Sequence, residues 1–315
     1  VTSVPVDETG TGSSGSPTSI LGRTVPRLFT PPLVELSPAT SYGYAVIRFA
    51  ADVLGLVLDP WQQWLVIHAG ELLADGSPRF RYVLVLVARQ QGKTTLCQVL
   101  TLYWLYVEGR PLVLGTSTNR DYAKAAWLDT IDRALAVEDL AADVPRGGVR
   151  KANGQESFTV APPGERRRAY VIAASNRRGG RSLTVHRLVL DELREHDSFD
   201  AWNAATNAMN AVSTAQCWAI TNQGDDAAVV LDSLRTPAVA AIEQPVPDDD
   251  VGLFEWSAPM GSSPTDLDAL AYANPSLGLP NRTSARTLLG AGRRAAAAGG
   301  DELTGFKTEV MCQRV

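Results

Sequence analysis

Arg81-Tyr-Val-Leu-Val-Leu-Val-Ala-Arg-Gln-Gln-Gly-Lys-Thr-Thr95 runs as an apolar strand straight into Gly92-Lys93-Thr94 and then into a helical segment. That order is the one a phosphate-binding loop requires. Backbone N–H groups cradle the phosphates of a nucleotide, Lys93 reaches the β- and γ-phosphates, and the Thr94 hydroxyl ligates Mg²⁺. The helix that follows, over about residues 94–107, points its positive end at the anion. One position breaks the usual G-x-x-x-x-G-K-[ST] spacing, because Val87 stands where the first glycine would be. An ordinary strand-to-helix turn with a surface lysine could share these letters, but the β-run before the glycine is the context a phosphate loop demands.

A second strand, Val185-His-Arg-Leu-Val-Leu-Asp-Glu192, ends in two adjacent acids. Downstream of a phosphate loop, a strand-end aspartate holds the Mg²⁺ shell, which assigns Asp191 to the metal. Glu192 then becomes the general base for an attacking water. A solvated Asp-Glu pair at a helix start is the alternative, since acids favour that end of the dipole. The two motifs together predict ATP hydrolysis on an α/β P-loop NTPase of ASCE type, with a mostly parallel sheet flanked by helices.

With 315 residues, 45% of them hydrophobic, the chain can bury a large core. Its net charge of −5 gives no broad attraction for nucleic acid, so DNA contact would rest on local clusters such as Arg166-Arg167-Arg168 or Arg177-Arg178. Cys97, Cys217 and Cys312 are scattered and odd in number, as expected of reduced thiols serving as small hydrophobes. The histidines at 68, 186 and 196 lack ligand spacing, which argues against structural zinc. No apolar run reaches membrane-span length, and no membrane role is expected.

Residues 1–38, rich in Pro, Gly, Ser and Thr, read as a mostly disordered leader. Residues 39–250 read as the ATPase core and 251–315 as a lid or linker subdomain. Within the core, strands are expected near residues 82–87, 111–115, 157–161, 169–174, 188–190 and 216–221, and helices over 41–57, after Asp59, after Lys93 and over 120–136. The strands at 157–161 and 169–174 flank Pro162-Pro-Gly-Glu-Arg-Arg-Arg168, which suggests a hairpin with a basic tip. A further strand is expected at residues 253–257, inside the lid.

Several of these segments together resemble the ATPase half of the large terminase subunit of tailed bacteriophages, over about residues 58–315. Asp59-Pro-Trp-Gln-Gln-Trp64 looks like that family's adenine-binding segment, and Ala88-Arg-Gln-Gln-Gly-Lys-Thr-Thr95 like its deviant Walker A. Leu188-Val-Leu-Asp-Glu192 is similar to its Walker B, and Ala219-Ile-Thr-Asn222 to its coupling motif. Tyr272-Ala-Asn-Pro-Ser-Leu-Gly278 and Phe306-Lys-Thr-Glu-Val-Met-Cys-Gln313 look like the segments leading out of the ATPase domain.

The resemblance implies that Gln62 bonds adenine through its amide, that Arg89, Gln90, Gln91, Gly92, Lys93, Thr94 and Thr95 surround the phosphates, and that Thr221 and Asn222 sense them. As bland alternatives, Gln62 is a polar residue in a helical first turn, Trp61 and Trp64 are core anchors, and Thr221-Asn222 merely ends a strand. In Asn176-Arg-Arg-Gly-Gly-Arg-Ser182 the family places an arginine that completes a neighbour's site, Arg181 first and Arg178 second, although this loop could instead touch DNA.

ATP and Mg²⁺ are the implied cofactors. The implied partners are double-stranded viral DNA, a portal protein, a small terminase subunit and further copies in a ring, working in the host cytoplasm and transiently at the procapsid. A nuclease domain normally follows the motor in this family, and the sequence reads as the motor half without it, a fragment of a longer protein. Helicase-like translocases share the adenine-reading Gln and the Asp-Glu pair, and small-molecule kinases share the P-loop.

Overall fold

The computed structural model describes residues 20–117, 120–152, 154–174, 183–195, 199–244 and 250–315. Among them nine strands share one sheet, in the spatial order β1 (Leu28–Phe29), β9 (Val251–Glu255), β2 (Tyr82–Leu86), β8 (Gln216–Thr221), β7 (Arg187–Asp191), β3 (Leu112–Ser117), β6 (Arg168–Ala174), β5 (Ser157–Val160) and β4 (Val149–Arg150). From β9 to β6 every neighbouring pair is parallel, and only β1, β5 and β4 pair antiparallel. Parallel pairing needs crossovers over the faces of the sheet, so both faces are covered and its strands read as near-continuous apolar runs. In β2, Val83 and Val85 enter one core layer while Leu84 and Leu86 enter the other, and all four are buried.

One layer is built by α1 (Gly43–Asp52), α2 (Pro60–Ala69), α3 (Lys93–Tyr106), α4 (Arg120–Leu135) and α5 (Glu138–Ala142), around the fully buried Trp61, Trp104, Trp127, Trp218 and Trp256. The opposite layer holds α6 (Phe199–Asn207), α7 (Val229–Glu243), α8 (Leu267–Ala273), α9 (Ala285–Ala298) and α10 (Gly300–Glu309). No helix among the described residues is long and apolar enough to cross a membrane.

Three expectations change. The leader reading fails for residues 20–38: Leu28 pairs with Glu255, the Gly22 N–H donates to the Leu277 carbonyl (2.9 Å), and Trp256 Nε1 donates to the Arg23 carbonyl (3.1 Å). A Cβ on Gly22 would lie 2.2 Å from the Asn274 oxygen, so this segment is fixed by close backbone approach, which leaves no hydrophobic period. Residues 1–19 lie outside the described residues. The boundary at 251 also moves, because β9 lies between β1 and β2 and belongs to the core sheet; the C-terminal helices of the second layer start at α8. The third change is at the basic hairpin tip, which forms between β5 and β6 with Arg166 and Arg167 exposed, but Arg168 turns inward and donates to the Leu105 carbonyl (2.7 Å).

Candidate active site

Register brings the two sequence motifs to one edge of the sheet. Leu86 pairs with Thr221 and Ile220 with Asp191, so β2, β8 and β7 end level with one another, β8 between the other two. The loop after β2 starts from a hydrogen bond of the Val87 N–H to the Thr221 carbonyl (3.0 Å). It then turns through left-handed backbone at Gln90 (φ 61°) and Gly92 (φ 86°) before α3 begins at Lys93. That conformation costs Gln90 of order 1–2 kcal/mol in steric strain, and such strain collects at functional sites. No side chain caps the first turn of α3, so its N–H groups face the loop. Lys93 is almost fully buried, and its ammonium donates to the Val87 carbonyl at 3.3 Å.

At the end of β7 the next residue, Glu192, is also left-handed (φ 59°), with its N–H on the Ile220 carbonyl (3.1 Å). Burial, and then the adjacent Glu192, push the Asp191 carboxyl up to about 6, while Lys93 pulls it down. Thr94, Asp191, Glu192 and Arg89 line one open cleft of about 670 Å³ together with Arg194. Below Thr94 and Asp191 lies a small cavity of about 30 Å³ that also touches Cys97 and Tyr170, room for about one water.

The remaining expected residues mostly hold the loop in shape. Gln62 is buried; its Oε1 accepts from the Asp59 N–H (2.9 Å) and its Nε2 donates to the Gly92 carbonyl (3.0 Å), so it closes the capping box of α2 and braces the phosphate loop. Gln91 turns away from the cleft. Its amide donates to the Arg89 carbonyl (3.1 Å) and to Asn274 Oδ1 (3.1 Å), and accepts from the Ser276 N–H (2.9 Å). Trp61 packs edge-on against Trp256 at 5.1 Å and Trp64 stacks on His68 at 3.6 Å, which makes both core anchors. The Thr221 hydroxyl accepts from the Arg194 N–H (3.2 Å) and donates to the Asn222 carbonyl (2.9 Å). Thr95 follows in the first turn of α3, half-buried. Arg178 and Arg181 lie outside the described residues.

Two further residues belong to the site. Arg194, in the 3₁₀ turn Leu193–Glu195 after the acid pair, forms an ion pair with Glu309 Oε1 at 2.6 Å. Glu309, the last residue of α10, also takes Arg89 Nε (2.9 Å) and Asn222 Nδ2 (3.1 Å) on its other oxygen. Glu309 stands in a helical stretch that gives no hint of this, and only Arg194, three residues after Asp191, has a positional signal.

No family model and no curated protein matches the sequence. Solved structures do match its fold. The large terminase of bacteriophage HK97 superposes with a TM-score of 0.73 at 18% identity over 87% of this chain. The chain has the fold of a phage large-terminase ATPase. It spans 55% of the HK97 protein's length. The large terminase ATPase domain of Thermus phage P74-26 gives a TM-score of 0.55 at 13% identity, over 84% of this chain and 97% of that one.

Proposed function

We propose that the chain is a Mg²⁺-dependent ATPase that drives double-stranded viral DNA into a procapsid. The observation that carries the reading is the shared edge of β2, β8 and β7, where the loop with Lys93 and the Asp191-Glu192 pair meet in one cleft. Lys93 and the free N–H groups of α3 bind and orient the β- and γ-phosphates of ATP. Glu192, whose Oε2 is buried without a hydrogen-bond partner, is the base that takes a proton from water.

The residues fit a magnesium ion. The Thr94 hydroxyl and the Asp191 carboxylate line the same cleft, and a Mg²⁺ ion typically takes one or two protein oxygens of this kind beside phosphates and water. Thr94 and Asp191 are the residues that would hold it. Held there, the ion would supply charge neutralisation at the phosphates.

Duplex DNA, a portal protein, a small terminase subunit and a ring of further copies come with the terminase reading, as does residence in the host cytoplasm with transient docking at the procapsid. A small-molecule kinase would share Lys93, and a helicase would share the acid pair as well. The test is ATP turnover with and without duplex DNA, in the wild type and in Lys93→Ala. We expect turnover stimulated by DNA, and at least about 100-fold weaker ATP binding by calorimetry in the variant, since a charge-assisted contact to phosphate is lost. Unchanged affinity in Lys93→Ala rejects the P-loop, and phosphate transfer to a small acceptor in place of water rejects the motor.

A further inference from the structure

The carboxylate of Glu309 touches three separate parts of the site. Its Oε1 forms an ion pair with Arg194 Nη1 at 2.6 Å, its Oε2 an ion pair with Arg89 Nε at 2.9 Å and a hydrogen bond from Asn222 Nδ2 at 3.1 Å, and its main-chain carbonyl accepts the Arg89 N–H at 3.0 Å. Arg89 comes from the loop after β2, Arg194 from the turn after β7, and Asn222 from the end of β8. Glu309 comes from none of them; it ends α10 in the C-terminal layer. All three donors therefore converge on an anion supplied from outside the nucleotide-binding strands.

Arg194 is the decisive member. Its side chain is 14% exposed, and it lines both the cleft with Thr94 and Asp191 and a second cleft beneath α10 that includes Gly224, Thr304, Thr308 and Glu309, so Arg194 stands between the two and pairs with Glu309 on the far side. Its Nε lies 3.3 Å from Glu192 Oε2 and 3.0 Å from Glu195 Oε1, yet neither contact is aligned as a hydrogen bond. Asn222 Oδ1 is buried without a partner as well. Arg194 is thus shared among Glu192, Glu195 and Glu309, and its shortest ion pair is the one to Glu309.

We propose that Glu309 is a positioning residue that competes with the terminal phosphate of ATP for Arg194 and Arg89. The proposal rests on the ATPase reading above. A carboxylate and a phosphate present the same chemistry to a guanidinium, a pair of anionic oxygens that accept forked N–H donors. ADP lacks the terminal phosphate and leaves the competition to Glu309. ATP draws the arginines toward the cleft and loosens α10 from the sheet edge, so the state of the phosphates is passed to the C-terminal helices. Linkage makes the effect reciprocal: whatever releases Glu309 favours ATP over ADP.

The experiment is calorimetric binding of ATPγS and of ADP, each with Mg²⁺, to the full chain. Glu309→Gln keeps the shape and removes the charge, and is expected to raise the preference for ATPγS over ADP by about 10-fold. Adding Arg194→Ala to that variant is expected to abolish the gain, whereas Asp301→Asn, which removes an acid from the same helix, leaves the preference unchanged. Glu309→Asp, too short to reach all three donors, shifts it in the same direction and serves if Glu309→Gln melts early.

A preference within twofold of wild type in both Glu309 variants overturns the proposal, as does an equal loss of affinity for both nucleotides, the mark of a merely structural role. Failure of the underlying reading looks different. The wild type then binds neither nucleotide, or Lys93→Ala binds both as tightly as the wild type, and the proposal falls with it.

Discussion

Asp191 carries an electrostatic cost that its neighbours enlarge. Burial and Glu192 raise its carboxyl from 3.8 to about 6, against the pull of Lys93, so the folded protein binds this proton more tightly than the unfolded chain does. A raised carboxyl contributes stability that is fully present below the unfolded value and is lost as pH rises through the folded one. In metal-free buffer at pH 7.5, Asp191→Asn is therefore expected to stabilise the protein by about 2–3 kcal/mol, since a tenfold change in proton affinity is worth about 1.4 kcal/mol. The gain should shrink steadily toward pH 4, and urea melts across that range check it; a gain independent of pH would mean that burial, and not ionisation, sets the cost. Glu192 answers to a different measurement. Glu192→Gln is expected to keep nucleotide bound while slowing hydrolysis by about 10²–10⁴-fold, the range for losing a general base. Near-normal turnover would move the base elsewhere.

At the scale of elements, the parts legible in the sequence are those buried on both faces. β2, β7 and β8 announce themselves as unbroken apolar runs because each strand feeds two core layers, and the motifs at their ends follow. β1 and β4, two residues each, are too short to show a period, and β1 is held by backbone pairing with β9 and by Phe29 packing edge-on against Trp64 at 5.1 Å, a contact between residues far apart in sequence. The core of the site is readable, from Lys93 to Asp191 and Glu192, because each is local to a strand end. The rest is not, since Glu309 meets Arg89, Arg194 and Asn222 only after residues far apart in sequence are folded together.

Gln91 shows the same limit. It reads as a loop residue near phosphate, yet its side chain ties the loop to Asn274 and Ser276, next to α8. Gln91→Ala leaves the buried Ser276 N–H and one Asn274 contact unmet, at an expected cost of about 2–4 kcal/mol. Chemical melts check the magnitude, and a loss under about 0.5 kcal/mol would mean that the loop is held without this amide.

For the whole molecule, the end of the sheet that carries the acid pair is also where the chain leaves β6. Ser117 of β3 pairs with Asp191 of β7 on one side and with Ala174 of β6 on the other, so the chain leaves β6 toward residues 175–182 at the level of the acids. Two strand spacings separate those points, about 10 Å. An arginine in that segment could therefore serve its own site or the next subunit's, and subunit mixing separates the two. If Arg181 acts in trans, Arg181→Ala binds ATP normally but lowers turnover of the assembled protein by about 10³-fold or more. Lys93→Ala subunits are inactive for the opposite reason, since they keep Arg181 and lose the phosphates. Mixing the two inactive proteins places an intact P-loop beside an intact Arg181, and activity is expected to return in proportion to such pairings. If the mixture stays inactive and added wild-type subunits contribute only their own turnover, Arg181 works within its own chain. If Arg178→Ala shows the loss and the rescue instead, the role belongs to Arg178, and if neither arginine matters the segment is free to contact DNA.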